Sequence, residues 1–386
     1  MFPDSIKKRT LIISKIKSID HHFYWVGVTA ILFLQLFKAF DGLTTHWLAD
    51  QSDVVQHFMY WHSNFFYGVK MSPTNPIVYT FGPVAIFLLS FPSLLGFNPE
   101  IAHQALILTN TSGLLLLSWI MRKSREDRFI FIIFIFILML TSNYWWTLTI
   151  FWINSLLVFF ALLFICALIY YFKKPTLNNF LLFICASFLP LHVHSTPAFI
   201  APIVLYVIVY HFIIFRNYEK LSLFTYLILF ITFIPYLIGE LYNDFRNTFA
   251  IFENLNNDNI NNRYDGINGG INALDSLFYN YNINFSWFDT INYNSIDTWL
   301  AIFFIVNILG MISVYSSKYF ALKWYSHFWR CFPLFILSHF IFFYITNTNI
   351  KSHHYLTFST IIFSMSYALI IGFWIKKLHF NSITIL

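Results

Sequence analysis

From Thr149 to Tyr171 the chain reads TIFWINSLLVFFALLFICALIYY, a run without one charged side chain. About 20 apolar residues wound as a helix cross the hydrocarbon core of a bilayer. Lipid offers no partner for a backbone N–H or C=O, so such a run is stable there only as a helix. Similar runs recur at about 24–40, 78–97, 101–120, 129–148, 178–191, 196–215, 221–239, 297–316, 329–346 and 355–374. The recurrence predicts an all-α fold, a polytopic transmembrane helical bundle of about 10–11 spans or re-entrant segments, forming a single integral membrane domain over 1–386. The short alternating strands of a membrane β-barrel are absent from the pattern.

Composition agrees. Charged residues make up 10% of the chain and hydrophobic ones 58%, whereas soluble domains carry about 25% charged residues. The 49 Phe, 23 Tyr and 12 Trp suit lipid-facing bulk and interface belts. A net charge of +6, spread in small clusters, excludes a nucleic-acid partner. Cys166, Cys185 and Cys331 all lie inside apolar runs and read as small buried hydrophobes, not as a disulfide framework or metal knuckle. The N-terminal stretch is basic and polar for too long to be a signal peptide, so the first apolar run is expected to stay as a span.

The cations set an expected orientation. Lys7-Lys8-Arg9, Arg122-Lys123 with Arg125 and Arg128, Lys173-Lys174, Arg216 with Lys220, Lys318 with Lys323, and Lys376-Lys377 fall on every second connection when the later runs are single passes. The positive-inside rule puts these clusters, and both termini, on the cytoplasmic side. A single crossing by 78–97 would reverse every later cluster. Its prolines at 73, 76, 83 and 92 and its Gly82 favour a broken or re-entrant segment instead. Two stretches are not membrane: 41–77, the first outer loop with interfacial helices, and the Asn-rich 240–296, the large outer loop. No internal repeat is visible. The outer face then gathers 41–77, the Trp145–Asn154 turn, the His192–Pro197 turn, 240–296 and the Asn347–His354 turn.

Those outer segments hold the candidate site residues. In helical form Asp53, Gln56, His57 and Tyr60 share one face. An acid at the membrane edge marks a functional site by default, with solvation on an interfacial helix as the plain alternative. Asp50, three residues earlier, shares that face as the other candidate. His192 and His194 end a span; they bind a metal only with a third ligand from elsewhere, and otherwise sit in interface water. Lys351, His353 and His354 precede the last run, on the side where cations are scarce; they call for an anionic partner such as phosphate, or anchor to headgroups. Asn154 is either an interhelical hydrogen bonder or a substrate contact. Glu240 leaves a span on the outer side with Arg246 close behind.

The order of these stretches resembles the GT-C superfamily of membrane glycosyltransferases, and within it bacterial members akin to protein O-mannosyltransferases and the aminoarabinose lipid A transferase. Asp53 to Gly68 is similar to the family's acid at the head of an interfacial helix, followed by a Gly about fifteen residues on. "YTFGPVAIFLLSFPSLLGFNPEIAH" resembles its Pro-containing helix start, "HVHSTPAFIAPIVL" its small-residue turn, "FIPYLIGELYNDFRNTFAI" the opening of its large outer loop, and "KSHHYLTFSTII" its late helix start. Asn154 stands where the family carries a second acid. The resemblance implies transfer of a sugar from a polyprenyl-phosphate-linked donor to a cell-envelope glycan, lipid or protein acceptor. The active site would face the periplasm or exterior from the bacterial cytoplasmic (inner) membrane, with membrane lipids as further partners. It implies Asp53, or else Asp50, as the general base, with Lys351, His353, His354 and Arg246 or Arg263 beside the leaving phosphate. Some relatives use a divalent metal, which His57, His192 and Glu240 would assist. Two other classes compete: an O-antigen-type polymerase or ligase, which leans on outer-loop arginines, and a lipid-linked-sugar flippase or transporter, which shows inverted repeats and mid-span charges.

Overall fold

The computed structural model describes residues 22, 24–37, 99–139, 141, 144, 147–148, 155–193, 196–215, 241, 245, 324–346 and 357–383. Regular structure among the described residues is all helical: α1 (Tyr24–Phe37), α2 (Pro99–Met121), α3 (Arg125–Met139), α4 (Leu156–Lys173), α5 (Leu177–Phe188), α6 (Ala201–Phe215), α7 (Trp324–Thr346) and α8 (Thr357–Ile383). Short 3-10 turns, Leu189–His192 and Thr196–Ile200, join α5 to α6. Among the described residues, four segments are long and apolar enough to cross a membrane: His103–Met121, Leu156–Lys173, Pro197–Ile214 and Thr357–Ile375.

α4 is the centre. It is apolar all round and packs against α2, α5, α7 and α8, so nearly every one of its side chains is buried. A helix apolar on all faces has no preferred outward side and suits the middle of a bundle. Its neighbours show the other pattern. On α2, Ile107, Leu114, Leu117 and Met121 are buried while Leu108, Leu115 and Trp119 are exposed. Phe33 and Phe37 of α1, Phe136 of α3, Ile213 of α6 and Leu337 of α7 also face outward, as a lipid-facing perimeter requires. Gly113 lets α2 and α4 approach closely, since a Cβ there would lie 3.1 Å from Leu162.

The turns follow from local chemistry. After Lys173 comes Lys-Pro-Thr: Pro175 cannot continue a helix and holds Lys174 extended (φ −147°, ψ 84°). Thr176 then caps α5, its hydroxyl accepting the Asn179 N–H at 3.3 Å. Between α2 and α3, Ser124 accepts the Asp127 N–H at 3.0 Å, and Glu126 and Asp127 stand in the first turn of α3, where the helix dipole favours negative charge.

The helix directions are fixed by cross-contacts. Tyr24 donates to the Ser118 carbonyl at 2.7 Å, and Gln35 to Thr111 at 3.3 Å, so α1 and α2 are antiparallel. Lys173 reaches the Ile120 carbonyl (3.1 Å) and Asn110 accepts the Phe159 N–H (3.1 Å), so α2 and α4 run parallel. Tyr206 and Tyr210 meet His327, and Phe199 meets Ser338, so α6 and α7 are antiparallel. Ser359 meets His339, and Gly372 lies against Ile130, so α8 returns antiparallel to both α7 and α3. One end of the bundle thus collects the 122–124 and 174–176 turns, the start of α1, the end of α6, the start of α7 and the C-terminal half of α8. Each of these is the helix end next to one of the cationic clusters of the sequence. We call it the cationic end, and the opposite one the far end. α1 runs toward the far end, its Gln35 reaching the level of Thr111 in mid-α2, and α2 starts at the far end with Pro99. The runs expected at 78–97, 221–239 and 297–316 lie outside the described residues.

One expected boundary changes. The run 129–148 does not form a single span: α3 starts at Arg125 and stops at Met139, 15 residues or about 22 Å long. Thr141 ends it, its N–H and its hydroxyl both directed at the Leu138 carbonyl (3.1 and 2.6 Å). Tyr144, Thr147 and Leu148 follow as buried residues, and α4 opens at Leu156 rather than near 149.

Candidate functional site

The far end is where three outer turns of the sequence attach. The start of α8 is tied to the stretch after α3 by a hydroxyl pair, Thr147 Oγ1 to Thr357 Oγ1 at 2.8 Å, both residues buried. The 3-10 turn Thr196–Ile200 packs on α7 and α8: the Phe199 ring meets His339 at 5.0 Å and Phe358 at 6.0 Å, and its carbonyl accepts from Ser338 at 2.6 Å. Fully buried His339 meets Ser359 at 3.2 Å through Nδ1. In the first turns of α4, Asn110 of α2 accepts the Phe159 N–H through its side-chain carbonyl oxygen. Hydroxyls, an imidazole and an amide therefore line the inner rim of this end, where they donate and accept hydrogen bonds.

Of the expected site residues, only His192 falls among the described ones. It closes the 3-10 turn after α5 at the far end, where the Val193 N–H bonds back to Pro190 at 3.0 Å. Asp50, Asp53, His57, Tyr60, Asn154, His194, Glu240, Arg246, Arg263, Lys351, His353 and His354 lie outside the described residues. Four of these adjoin described positions: Asn154 precedes buried Ser155, His194 follows Val193, Arg246 follows Phe245, and His354 comes three residues before Thr357. Phe245 itself takes a left-handed φ of 56°, rare for a bulky side chain, at the opening of the expected large loop. Among the described residues no three His, Cys, Asp or Glu side chains gather as a metal would need. Cys166 and Cys331 are buried and all three cysteines are free thiols.

The cationic end is built differently. Lys173 donates to Asp127 Oδ2 at 2.6 Å and to the Ile120 carbonyl at 3.1 Å; Trp324 Nε1 donates to Asp127 Oδ1 at 3.0 Å. Both oxygens of one buried carboxylate thereby join α2, α3, α4 and α7. Beside them Tyr325 donates to Glu126 at 2.9 Å, and Arg128 to the Arg122 carbonyl at 3.0 Å. Toward the α6–α7 groove, His327 stacks on Phe172 (4.4 Å, 8°) and meets the Tyr206 and Tyr210 hydroxyls at 3.2 and 3.3 Å. Sequence reading singled out neither group, although an Asp within a cationic turn and an Arg-His pair opening an apolar helix are both visible signals.

No family model, no curated protein and no solved structure matches the chain.

Proposed function

We propose that this chain is an inverting glycosyltransferase of GT-C type. It would transfer a sugar from a polyprenyl-phosphate-linked donor to a cell-envelope glycan or lipid acceptor, with the far end of the bundle facing outward. The observation that supports this is the sidedness of the helix ends. The cation clusters flank one end, while the turns that carry Asn154, His192–His194 and Lys351–His354 leave from the other. The stretch bearing Asp50 and Asp53 enters α2 at that same end. A reaction between a membrane-borne donor and an outer acceptor needs its groups on one side.

In this reading Asp53 takes the proton of the acceptor hydroxyl as its oxygen attacks the anomeric carbon. The bond from that carbon to the phosphate oxygen breaks on the opposite face, and polyprenyl phosphate leaves with the electron pair. Lys351, His353, His354 and Arg246 balance the charge gathering on that phosphate. His57 and Tyr60, on the face of Asp53, hold the acceptor. Asp53→Asn in membrane fractions should cut sugar transfer by about a hundredfold or more, with unfolding temperature and donor binding unchanged. Full retention of transfer sinks Asp53 as the base and moves the test to Asp50→Asn. An epitope at position 258 reachable only from the cytoplasm would overturn the orientation itself.

A further inference from the structure

The groove between α6 and α7 near the cationic end carries a cation that no carboxylate among the described residues neutralises. Arg330 is exposed and lies against Tyr206. The described residues include three carboxylates, and none serves it. Asp127 is held by Lys173 and Trp324, Glu126 receives Tyr325, and Glu100 begins α2 at the far end. The surroundings are apolar and outward-facing: Leu205 and Val209 on α6, Leu334 and Leu337 on α7. Arg330 stands six positions into α7, about 9 Å from its start. A guanidinium at that depth on a lipid-facing surface reaches for the phosphate layer along its stem, and desolvation there is costly without an anion.

The neighbours supply more donors. Half-buried Tyr206 and Tyr210 stack one turn apart (6.2 Å, 17°) and each places its hydroxyl on one nitrogen of His327. A neutral imidazole donates from one nitrogen and accepts at the other. One tyrosine therefore accepts from the ring and keeps its own hydroxyl proton to give elsewhere. Phe172 fixes the ring by stacking, so the arrangement is preorganised.

We propose that Arg330, Tyr206, Tyr210 and His327 form a binding site for the phosphate of an anionic phospholipid, seated in the α6–α7 groove at the cationic end. Charge decides the class: a fork of guanidinium donors beside a hydroxyl donor, with no carboxylate nearby among the described residues, matches a phosphate whose charge is not offset within its own headgroup. The site is distinct from the proposed far-end chemistry and does not depend on it.

The test uses the full chain in neutral detergent micelles, following unfolding temperature as phosphatidylglycerol is added, against phosphatidylcholine and against inorganic phosphate. Phosphatidylglycerol should raise the unfolding temperature along a saturating curve while the other two leave it flat. Arg330→Gln should shift the half-saturating phosphatidylglycerol concentration upward about fivefold, the value of one cation at an anionic surface. Tyr210→Phe, which deletes one hydroxyl and keeps the ring, should shift it about twofold, and Lys123→Gln, an exposed cation elsewhere at this end, should leave it in place. Equal stabilisation by phosphatidylcholine means ordinary lipid solvation and overturns the proposal. Equal stabilisation by inorganic phosphate means a soluble-anion site and overturns it as well. So does an Arg330→Gln protein that folds and titrates like the parent. Should Arg330→Gln not fold, Tyr210→Phe carries the test, and an unshifted curve there counts against the site.

Discussion

The two ends of this bundle spend their polar groups in opposite ways. At the cationic end a carboxylate, an ammonium, an indole and several carbonyls close on each other, so four helices are tied through Asp127. Toward the far end the described contacts include bonds between neutral groups, Thr147 to Thr357, Ser359 to His339, Asn110 to the α4 backbone. Net hydrogen bonds of the neutral kind contribute about 1 kcal/mol each, while charged ones inside a protein contribute more and cost more to break. The contrast is one of chemistry: one end is tied through a buried charge pair, while the bonds described at the other join neutral groups.

The sharpest way to break that contrast is Asp127→Ala. It strands the Lys173 ammonium, whose side chain is only 22% exposed, and frees the Trp324 N–H. Removing one partner of such a pair should cost about 3 kcal/mol, discounted toward 2 by the remaining access to water. Thermal unfolding in detergent reads the loss. The double variant Asp127→Asn with Lys173→Met removes both charges and should recover part of it. A drop no larger than that of the far-end variants would erase the distinction between the ends.

Gly113→Leu tests the parallel α2–α4 contact that connects the two ends. A Cβ there already meets Leu162 at 3.1 Å, so the larger side chain must push the helices apart. Overpacking of this kind costs about 1–3 kcal/mol. Gly113→Ala should cost less, because Leu162 Cδ1 can swing aside even though its Cβ cannot.

Much of the scaffold was legible before any coordinates. α1, α2 and α6 fall within a few residues of the expected runs, α4 starts seven residues late and α8 runs nine residues on, and the alternation of cations matches the ends at which the helices meet. The boundary after Met139 was not legible. Thr141, Tyr144 and Thr147 are polar groups that a lipid-exposed helix tolerates, and only their burial and the Leu138–Thr141 bond show that the helix stops. Which face of each helix turns inward was equally hidden, because lipid is as apolar as the core and periodicity fades when both sides are greasy. The Arg330 cluster needed three dimensions: Phe172, the Tyr206–Tyr210 pair and His327 are far apart in the chain. The acids and cations chosen for the proposed chemistry come from connections outside the described residues, so their legibility rests on order and spacing alone.

The smallest effect is the most informative about the far end. Thr147→Val and Thr357→Val each delete one hydroxyl of the 2.8 Å pair and keep the branched shape. Each should cost about 1 kcal/mol in the unfolding of the full chain. The double variant should cost less than the two single changes together, since the second substitution removes a hydroxyl that has already lost this bond, giving a coupling of about 0.5–1 kcal/mol. Thr357 opens α8 three residues after His354. Under the proposed glycosyltransfer, loosening it should raise the KM for the lipid-linked donor while kcat falls little, because the phosphate-facing cations would be less well held but unchanged in kind. Additive single costs would show that the hydroxyls do not hold each other. An unchanged donor KM beside a measurable coupling would show that the start of α8 is anchored for stability, without bearing on the phosphate.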